Sequence, residues 1–149
     1  MALLTPTETD FIRRQRVARL ATVDPSGNPH VIPICYAFDG ERVYTPIDEK
    51  AKRVTDSGLR RVRNIAAHPC VALVVDQYAD DWSHIGYVLI RGDAALLEPG
   101  EAPHAHAVEL LRERYQQYHS MRLEKHPVIA VLPRHVTSWG PAIDDTLGA

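Results

Sequence analysis

The residues best suited to chemistry in this chain form a short basic run. Six basic residues lie between positions 50 and 63: Lys50, Lys52, Arg53, Arg60, Arg61 and Arg63. One acid, Asp56, lies among them, although the whole chain has a formal net charge of −2. Ammonium and guanidinium groups gathered in this way donate charge-assisted hydrogen bonds to phosphate oxygens. The run is therefore a candidate phosphate site.

The position of the basic run supports this interpretation. It begins after a predicted strand end at 45–47 and continues into a predicted helix at 59–67. A phosphate bound there would meet the lysine ammonium groups, the Thr45 hydroxyl and free backbone amides. The alternative is a solvated basic loop and helix face, and charge alone does not decide between the two.

The elements that must position these residues are mostly strands. β-branched and apolar segments predict strands at 17–23, 30–38, 41–47, 70–76, 82–97 and 128–132, with a bulge at Gly86 or Gly92. Turn residues at 24–29 and 39–40 join the first three as an antiparallel meander. Helices are expected within 1–16 and at 59–67 and 105–118. We expect one mainly β domain over 1–149, with a barrel at 17–141 and a loose acidic tail at 142–149.

Composition excludes several classes of protein. The near-neutral charge gives no global attraction to nucleic acid, and no apolar run is long enough to span a membrane. Nothing at the N-terminus resembles a signal peptide, and Cys35 and Cys70 lack metal-binding spacing. We therefore expect a cytoplasmic protein with reduced cysteines and no metal. His104 and His106 are two residues apart and do not share a helix face, which disfavours a helix-borne metal pair.

The residues around the basic run resemble a known family. The segment 45–52, TPIDEKAK, resembles the strand-end clamp of the pyridoxamine 5′-phosphate oxidase-like split barrels. It is most similar to their subgroup of probable F-420-dependent (deazaflavin) oxidoreductases. Four further segments agree with the family in order, namely 19–30, 63–76, 86–97 and 135–140. The resemblance covers roughly positions 10–141.

The resemblance implies a fold, an activity and a partner. The fold is a six-stranded antiparallel split β-barrel, Greek-key-like, with flanking helices. The implied protein is a homodimer with two sites at its interface. It would use coenzyme F-420, a deazaflavin, to transfer hydride to a small unsaturated or conjugated substrate.

The resemblance also implies roles for individual residues. Lys50 and Lys52 match the basic pair that grips the cofactor phosphate, and Thr45 matches the hydroxyl residue beside it. Arg53, which follows directly, is included in the candidate site. The second-strand residues Ile32, Pro33 and Ile34 match the family's stretch that lies against the isoalloxazine-type ring of the cofactor. Trp139 matches a position near the cofactor that the partner subunit often donates. No catalytic acid or base is assigned.

Three alternatives remain open. The same barrel can hold FMN in place of F-420. It can also bind haem, another tetrapyrrole or the cofactor itself without turnover, with His104, His106 or His135 as candidate haem ligands. A weaker alternative is a nucleic-acid partner bound through Arg60, Arg61 and Arg63.

Overall fold

The fold was analysed in a computed structural model, which describes residues 3–47 and 58–144. Four α-helices lie in these ranges: α1 (Pro6–Arg14), α2 (Arg60–Ala67), α3 (Ala102–Arg114) and α4 (Pro141–Asp144). The strands are β1 (Ala18–Val23), β2 (Pro29–Ile34), β3 (Ala37–Phe38), β4 (Val43–Pro46), β5 (Cys70–Gln77), β6 (Gly86–Leu97) and β7 (Val128–Trp139). No helix in these ranges has the length and apolar character needed to cross a membrane.

All seven strands belong to one antiparallel sheet in the order β2-β1-β5-β6-β7-β4-β3. The two twelve-residue strands β6 and β7 form its centre and pair along their whole length, from Tyr87 opposite Trp139 to Leu97 opposite Val128. A bulge between Arg91 and Gly92 shifts this register. The sheet curls into a half-barrel, because residues from strands at both of its edges are buried in one core.

The inner face of the sheet holds the main core. Side chains such as Leu20, Leu73 and Ile90 alternate inwards and are almost fully buried. Helix α1 adds Phe11 and Ile12 to this core, and α2 packs on β1 and β6. The capping box at the start of α1 forms between Thr5 and Glu8, within the range predicted for this helix.

The outer face of the sheet is covered at one end only. Helix α3 packs its apolar side on Tyr44 of β4 and on Val128 and Ala130 of β7, forming a second core. Among the described helices, α3 is the one that packs on this face. The outer faces of β1, β2, β5 and the first half of β6 therefore lack a covering layer within the described chain.

The prediction of six strands is wrong by one. The segment 30–38 forms two strands, β2 and β3, separated by Cys35 and Tyr36. The Tyr36 side chain is fully buried and its hydroxyl donates to the carbonyl oxygen of Ile12 at 2.5 Å. This anchor turns the chain from one edge of the sheet to the other, and local residue preferences do not encode such a long-range contact.

The remaining predicted elements are close to those observed. The bulge predicted at Gly86 or Gly92 is confirmed beside Gly92. Residues 128–139 form one continuous strand because β6 pairs along all of it, whereas the sequence predicts a regular strand at 128–132 with a less regular continuation to 139. The tail expected from 142 is partly packed, because Ala142 and Ile143 are buried in α4.

Gly140 provides a test of this packing. Its φ is +119°, and a Cβ there would lie 2.5 Å from the Ile85 carbonyl oxygen and the Gly86 Cα. We expect Gly140→Ala to lower the free energy of unfolding by about 1–2 kcal/mol for the backbone conformation and about 1–3 kcal/mol more for the clash. Urea unfolding measures this loss. Gly100→Ala is the matched control, because its φ is +96° with no atom within 4 Å of the new Cβ. Equal losses of unfolding free energy in Gly140→Ala and Gly100→Ala would contradict the close packing of Gly140 against Ile85 and Gly86.

Candidate functional site

Thr45 lies where the sequence placed it, near the end of β4. Its side chain is buried, and in the ladder it lies opposite Ile129 of β7. The Ile47 amide donates to the carbonyl oxygen of Pro127 at 3.3 Å, so the chain is held up to the last described residue before the basic run. Three predicted site residues fall outside the described residues, namely Lys50, Lys52 and Arg53.

Helix α2 contains the last part of the basic run and presents two of its arginines to solvent. Arg60 and Arg63 are exposed and three residues apart, which places them on one helix face. The opposite face buries Val62 and Ile65 in the main core. No described side chain caps the first turn, so its amides add to the positive charge of this helix end.

A buried hydrogen bond fixes the position of α2. The Asn64 side-chain amide donates to the Thr22 hydroxyl of β1 at 2.9 Å, and both side chains are almost fully buried. Sequence reasoning missed this pair. The sequence does contain a signal for this pair: β1 and α2 each carry a polar residue at an inward-facing position, and a buried polar side chain needs a hydrogen-bond partner.

The stretch 32–34 lies at the edge of the sheet, on β2. Ile34 is buried in the main core, Ile32 packs partly against it, and Pro33 points to the exposed outer face. In the strand order β2 and β3 are the two edge strands of the sheet. Because two residues separate Ile34 from β3, the end of β2 nevertheless lies near the β3–β4 hairpin. The structure therefore brings 32–34 towards the edge that carries Thr45.

Trp139 lies at the opposite end of β7 from the residue that faces Thr45. It ends β7, ten residues beyond Ile129, the residue opposite Thr45. At about 3.3 Å per residue, this separation is roughly 30 Å along the strand. One chain therefore does not bring Trp139 and Thr45 to the same small ligand.

Trp139 belongs to the uncovered part of the outer face. The ladder places it beside Tyr87, with ring centroids 6.3 Å apart, and the Trp139 side chain is 56% exposed. Apolar side chains continue across the neighbouring strands: Val31, Ala21, Ala72, Val74 and Leu89. An ion pair of 2.6 Å between Arg19 and Asp76 crosses the same face. A sheet face of this apolar character normally packs against another layer.

The histidines do not form a metal site. Among residues 3–47 and 58–144, no group of three or more His, Cys, Asp or Glu side chains is arranged to hold a metal ion. His104 is buried on α3, with its Nε2 2.6 Å from the carbonyl oxygen of His126. His106 lies on α3 beside Asp39, and His135 is exposed on β7, so the three haem-ligand candidates occupy different surroundings.

Asp39 connects α3 to the hairpin that carries Thr45. Its carboxylate accepts hydrogen bonds from the Arg42 amide at 2.7 Å and the Tyr44 hydroxyl at 2.8 Å, and His106 Nε2 lies 3.2 Å away. Burial favours a higher pKa for Asp39, but the backbone amides of Arg42 and Glu41 and the two side chains outweigh it and lower the pKa. Burial and the bond to Asp39 raise the pKa of Tyr44 to about 12.

Replacing Asp39 tests this connection. Because the folded-state pKa of Asp39 lies below its ordinary value of 3.8, its stabilisation is present above that pH and is lost as pH falls through the folded-state pKa. We expect Asp39→Asn to cost on the order of 1–3 kcal/mol at pH 7, with the difference from wild type shrinking below about pH 4. Thermal unfolding across pH measures it. Tyr44→Phe keeps the carboxylate and should cost less; a pH-independent difference for Asp39→Asn would refute this role.

Comparisons with known proteins agree with this architecture. The family profile described as pyridoxamine 5′-phosphate oxidase matches residues 4–140. A 5a,11a-dehydrotetracycline/5a,11a-dehydrooxytetracycline reductase of Streptomyces rimosus is 31% identical over 141 residues, covering 91% of this chain and 82% of its own.

Solved structures show the same fold. A conserved hypothetical protein of Mycobacterium tuberculosis aligns with a TM-score of 0.74 at 23% identity, covering 99% of this chain and 90% of its own. An F420 reductase aligns with a TM-score of 0.63 at 22% identity, covering 90% and 98%. With the profile match over most of its length, the chain belongs to the pyridoxamine 5′-phosphate oxidase family.

Proposed function

We propose that this protein is an oxidoreductase that uses coenzyme F-420 for hydride transfer to a small unsaturated or conjugated substrate. The 31% identical relative is named a reductase, and one structural neighbour is named an F420 reductase. FMN is the second candidate cofactor, because the split barrel of the pyridoxamine 5′-phosphate oxidase family can hold FMN in place of F-420.

The charge around α2 is the observation that favours the deazaflavin. Phosphate is common to both cofactors, and the Thr45 hydroxyl, the α2 amides and the lysines of the basic run are suitable donors for it. Arg60 and Arg63 add exposed positive charge beyond what one phosphate requires. A poly-acidic cofactor tail, as in F-420, would match this excess.

The chain's own residues would bind and orient rather than react. Lys50 and Lys52 would hold the phosphate, and the stretch 32–34 would lie against the ring. When bound and reduced, the cofactor supplies the hydride. Apolar residues of the main core, such as Ile34 and Ile47, would keep water from the inner side of the site. No side chain is assigned as the proton donor.

We also propose that the functional unit is a homodimer with each site built from two chains. Trp139 and Thr45 are roughly 30 Å apart along the sheet of one chain, so both can serve one site only if Trp139 comes from the partner. The uncovered outer face carries apolar side chains around the Arg19–Asp76 ion pair and ends at Trp139, and a second copy would bury it.

Cofactor identity is tested by titrating the purified protein separately with F-420 and FMN. We expect F-420 to bind more tightly, because it alone can use the additional arginines. Fluorescence of the deazaflavin and absorbance of FMN report the two dissociation constants. Tight FMN binding without F-420 binding would overturn the deazaflavin assignment and leave the flavin alternative.

Lys52→Ala tests the phosphate clamp. Loss of one charge-assisted contact of about 1.5–3 kcal/mol should weaken cofactor affinity roughly tenfold to a hundredfold. Lys125→Ala is the matched control, because Lys125 is the third lysine of the chain and lies in the Leu123–Lys125 turn after α3. If both variants bind the cofactor like the wild type, the clamp lies elsewhere.

Val31→Asp tests the dimer. Val31 is 63% exposed on the outer face, so the substitution should not affect the folding of one chain but should place charge in the proposed interface. We expect a shift to monomer in analytical ultracentrifugation, together with a large loss of cofactor affinity. Leu3→Asp is the matched control at another exposed aliphatic residue, and this variant should remain dimeric. A monomeric wild type that binds cofactor would contradict the composite site.

A further inference from the structure

The connection between β5 and β6, residues 78–85, carries two strongly exposed aromatic side chains. Tyr78 is 71% exposed and Trp82 is 69% exposed. Aromatic side chains supply a large contact area for binding when they become covered. Their exposure on a single short connection therefore indicates a surface that binds something.

The connection is held in one shape by several contacts. Asp81 accepts hydrogen bonds from the Ser83 amide and hydroxyl and so begins a short 3-10 turn at Trp82–His84. The Gln77 side-chain amide donates to the carbonyl oxygen of His84 at 2.6 Å.

The end of the connection is held as well. The Ala142 amide of α4 donates to the carbonyl oxygen of Ile85 at 3.0 Å. Trp82 therefore projects from an ordered support, which lowers the entropy cost of using it in binding.

The sheet register places this connection at the same end as Trp139. Gln77, the last residue of β5, lies opposite Gly86, and the next residue of β6, Tyr87, lies opposite Trp139. The 3-10 turn also contacts α4, which begins just after Trp139. Both tryptophans of the chain are therefore at one end of the sheet. In the proposed dimer, this end of one chain approaches the cofactor site of the other.

We infer that Tyr78 and Trp82 form an aromatic wall of the substrate pocket and select planar, fused-ring conjugated substrates. The inference rests on the proposed function, because it places the wall across the dimer from the cofactor. A flat conjugated ring system would stack on these side chains, whereas a small non-planar enone would not fill the same contact.

Charge beside the wall narrows the substrate class. Asp80 and Asp81 directly precede Trp82 in the chain. The exposed Asp81 carboxylate accepts hydrogen bonds from the Ser83 amide and hydroxyl, and His84 Nδ1 lies 3.3 Å from it. Like charges repel, so the wall should accept neutral or cationic ring systems and disfavour anionic ones.

The experiment uses Trp82 as its own reporter. In a Trp139→Phe protein, Trp82 is the single tryptophan, so its fluorescence quenching measures binding directly. The probes are 9-aminoacridine as a planar cation, anthracene-2-sulfonate as a planar anion, and cyclohex-2-enone as a small non-planar control. We expect 9-aminoacridine to bind most tightly and cyclohex-2-enone not to quench Trp82 at the same concentrations.

Variants then separate the wall from other roles. With Trp139 intact, 9-aminoacridine fluorescence reports its binding to each variant. We expect Trp82→Ala to weaken this binding about threefold to tenfold, and Trp82→Phe to retain most of it. Tyr78→Ala should weaken it as well. Cofactor affinity and the dimer should be unchanged in all three.

Two outcomes overturn the inference. Equal 9-aminoacridine affinity in Trp82→Ala and wild type would show that the wall does not bind planar rings. Dissociation of the Trp82→Ala dimer would show that Trp82 is an interface residue instead. If wild type binds neither F-420 nor FMN, the proposed function fails, but the fluorescence titration still decides whether the wall binds planar rings.

Discussion

The pairing of β6 with β7 is the constraint on which the rest of the structure depends. These twelve-residue strands pair from Tyr87–Trp139 at one end to Leu97–Val128 at the other. β4 extends the sheet beside the start of β7, which places Thr45 opposite Ile129. Because the β6–β7 ladder runs the length of both strands, with one bulge at Arg91–Gly92, the separation of Thr45 from Trp139 is a property of the strand register.

The same pairing divides the outer face of the sheet. Helix α3 covers the part near Tyr44 and Val128, and Asp39 ties this helix to the hairpin through His106. The part that ends at Trp139 carries apolar side chains around the Arg19–Asp76 ion pair and has no covering layer in the described chain. A second copy would cover that part and at the same time bring Trp139 to a site that one chain leaves incomplete. The dimer and the cofactor site are thus one proposal.

Local patterns predicted most of this fold. Continuous β-branched residues predicted β5, the turn residues predicted the β1–β2 connection, and Gly92 marked the bulge. The sequence could not predict contacts between distant segments. The division of 30–38 by Tyr36 depends on the carbonyl oxygen of Ile12, and the Asn64–Thr22 bond joins residues 42 positions apart. The family resemblance gave the candidate site residues. The register then showed that Thr45 and Trp139 do not meet within one chain, while Lys50, Lys52 and Arg53 lie outside the described residues.

Subunit complementation tests the composite site most directly. Lys52→Ala and Trp139→Ala chains are each expected to bind cofactor weakly as homodimers. In a mixed dimer, one site would combine the intact Lys52 of one chain with the intact Trp139 of the other. After the two proteins are unfolded together and refolded, we predict that tight cofactor binding returns in the mixed dimer, at one site for each dimer. If both residues served a site within the same chain, no mixed dimer would contain an intact site, and the absence of recovered binding would contradict the account.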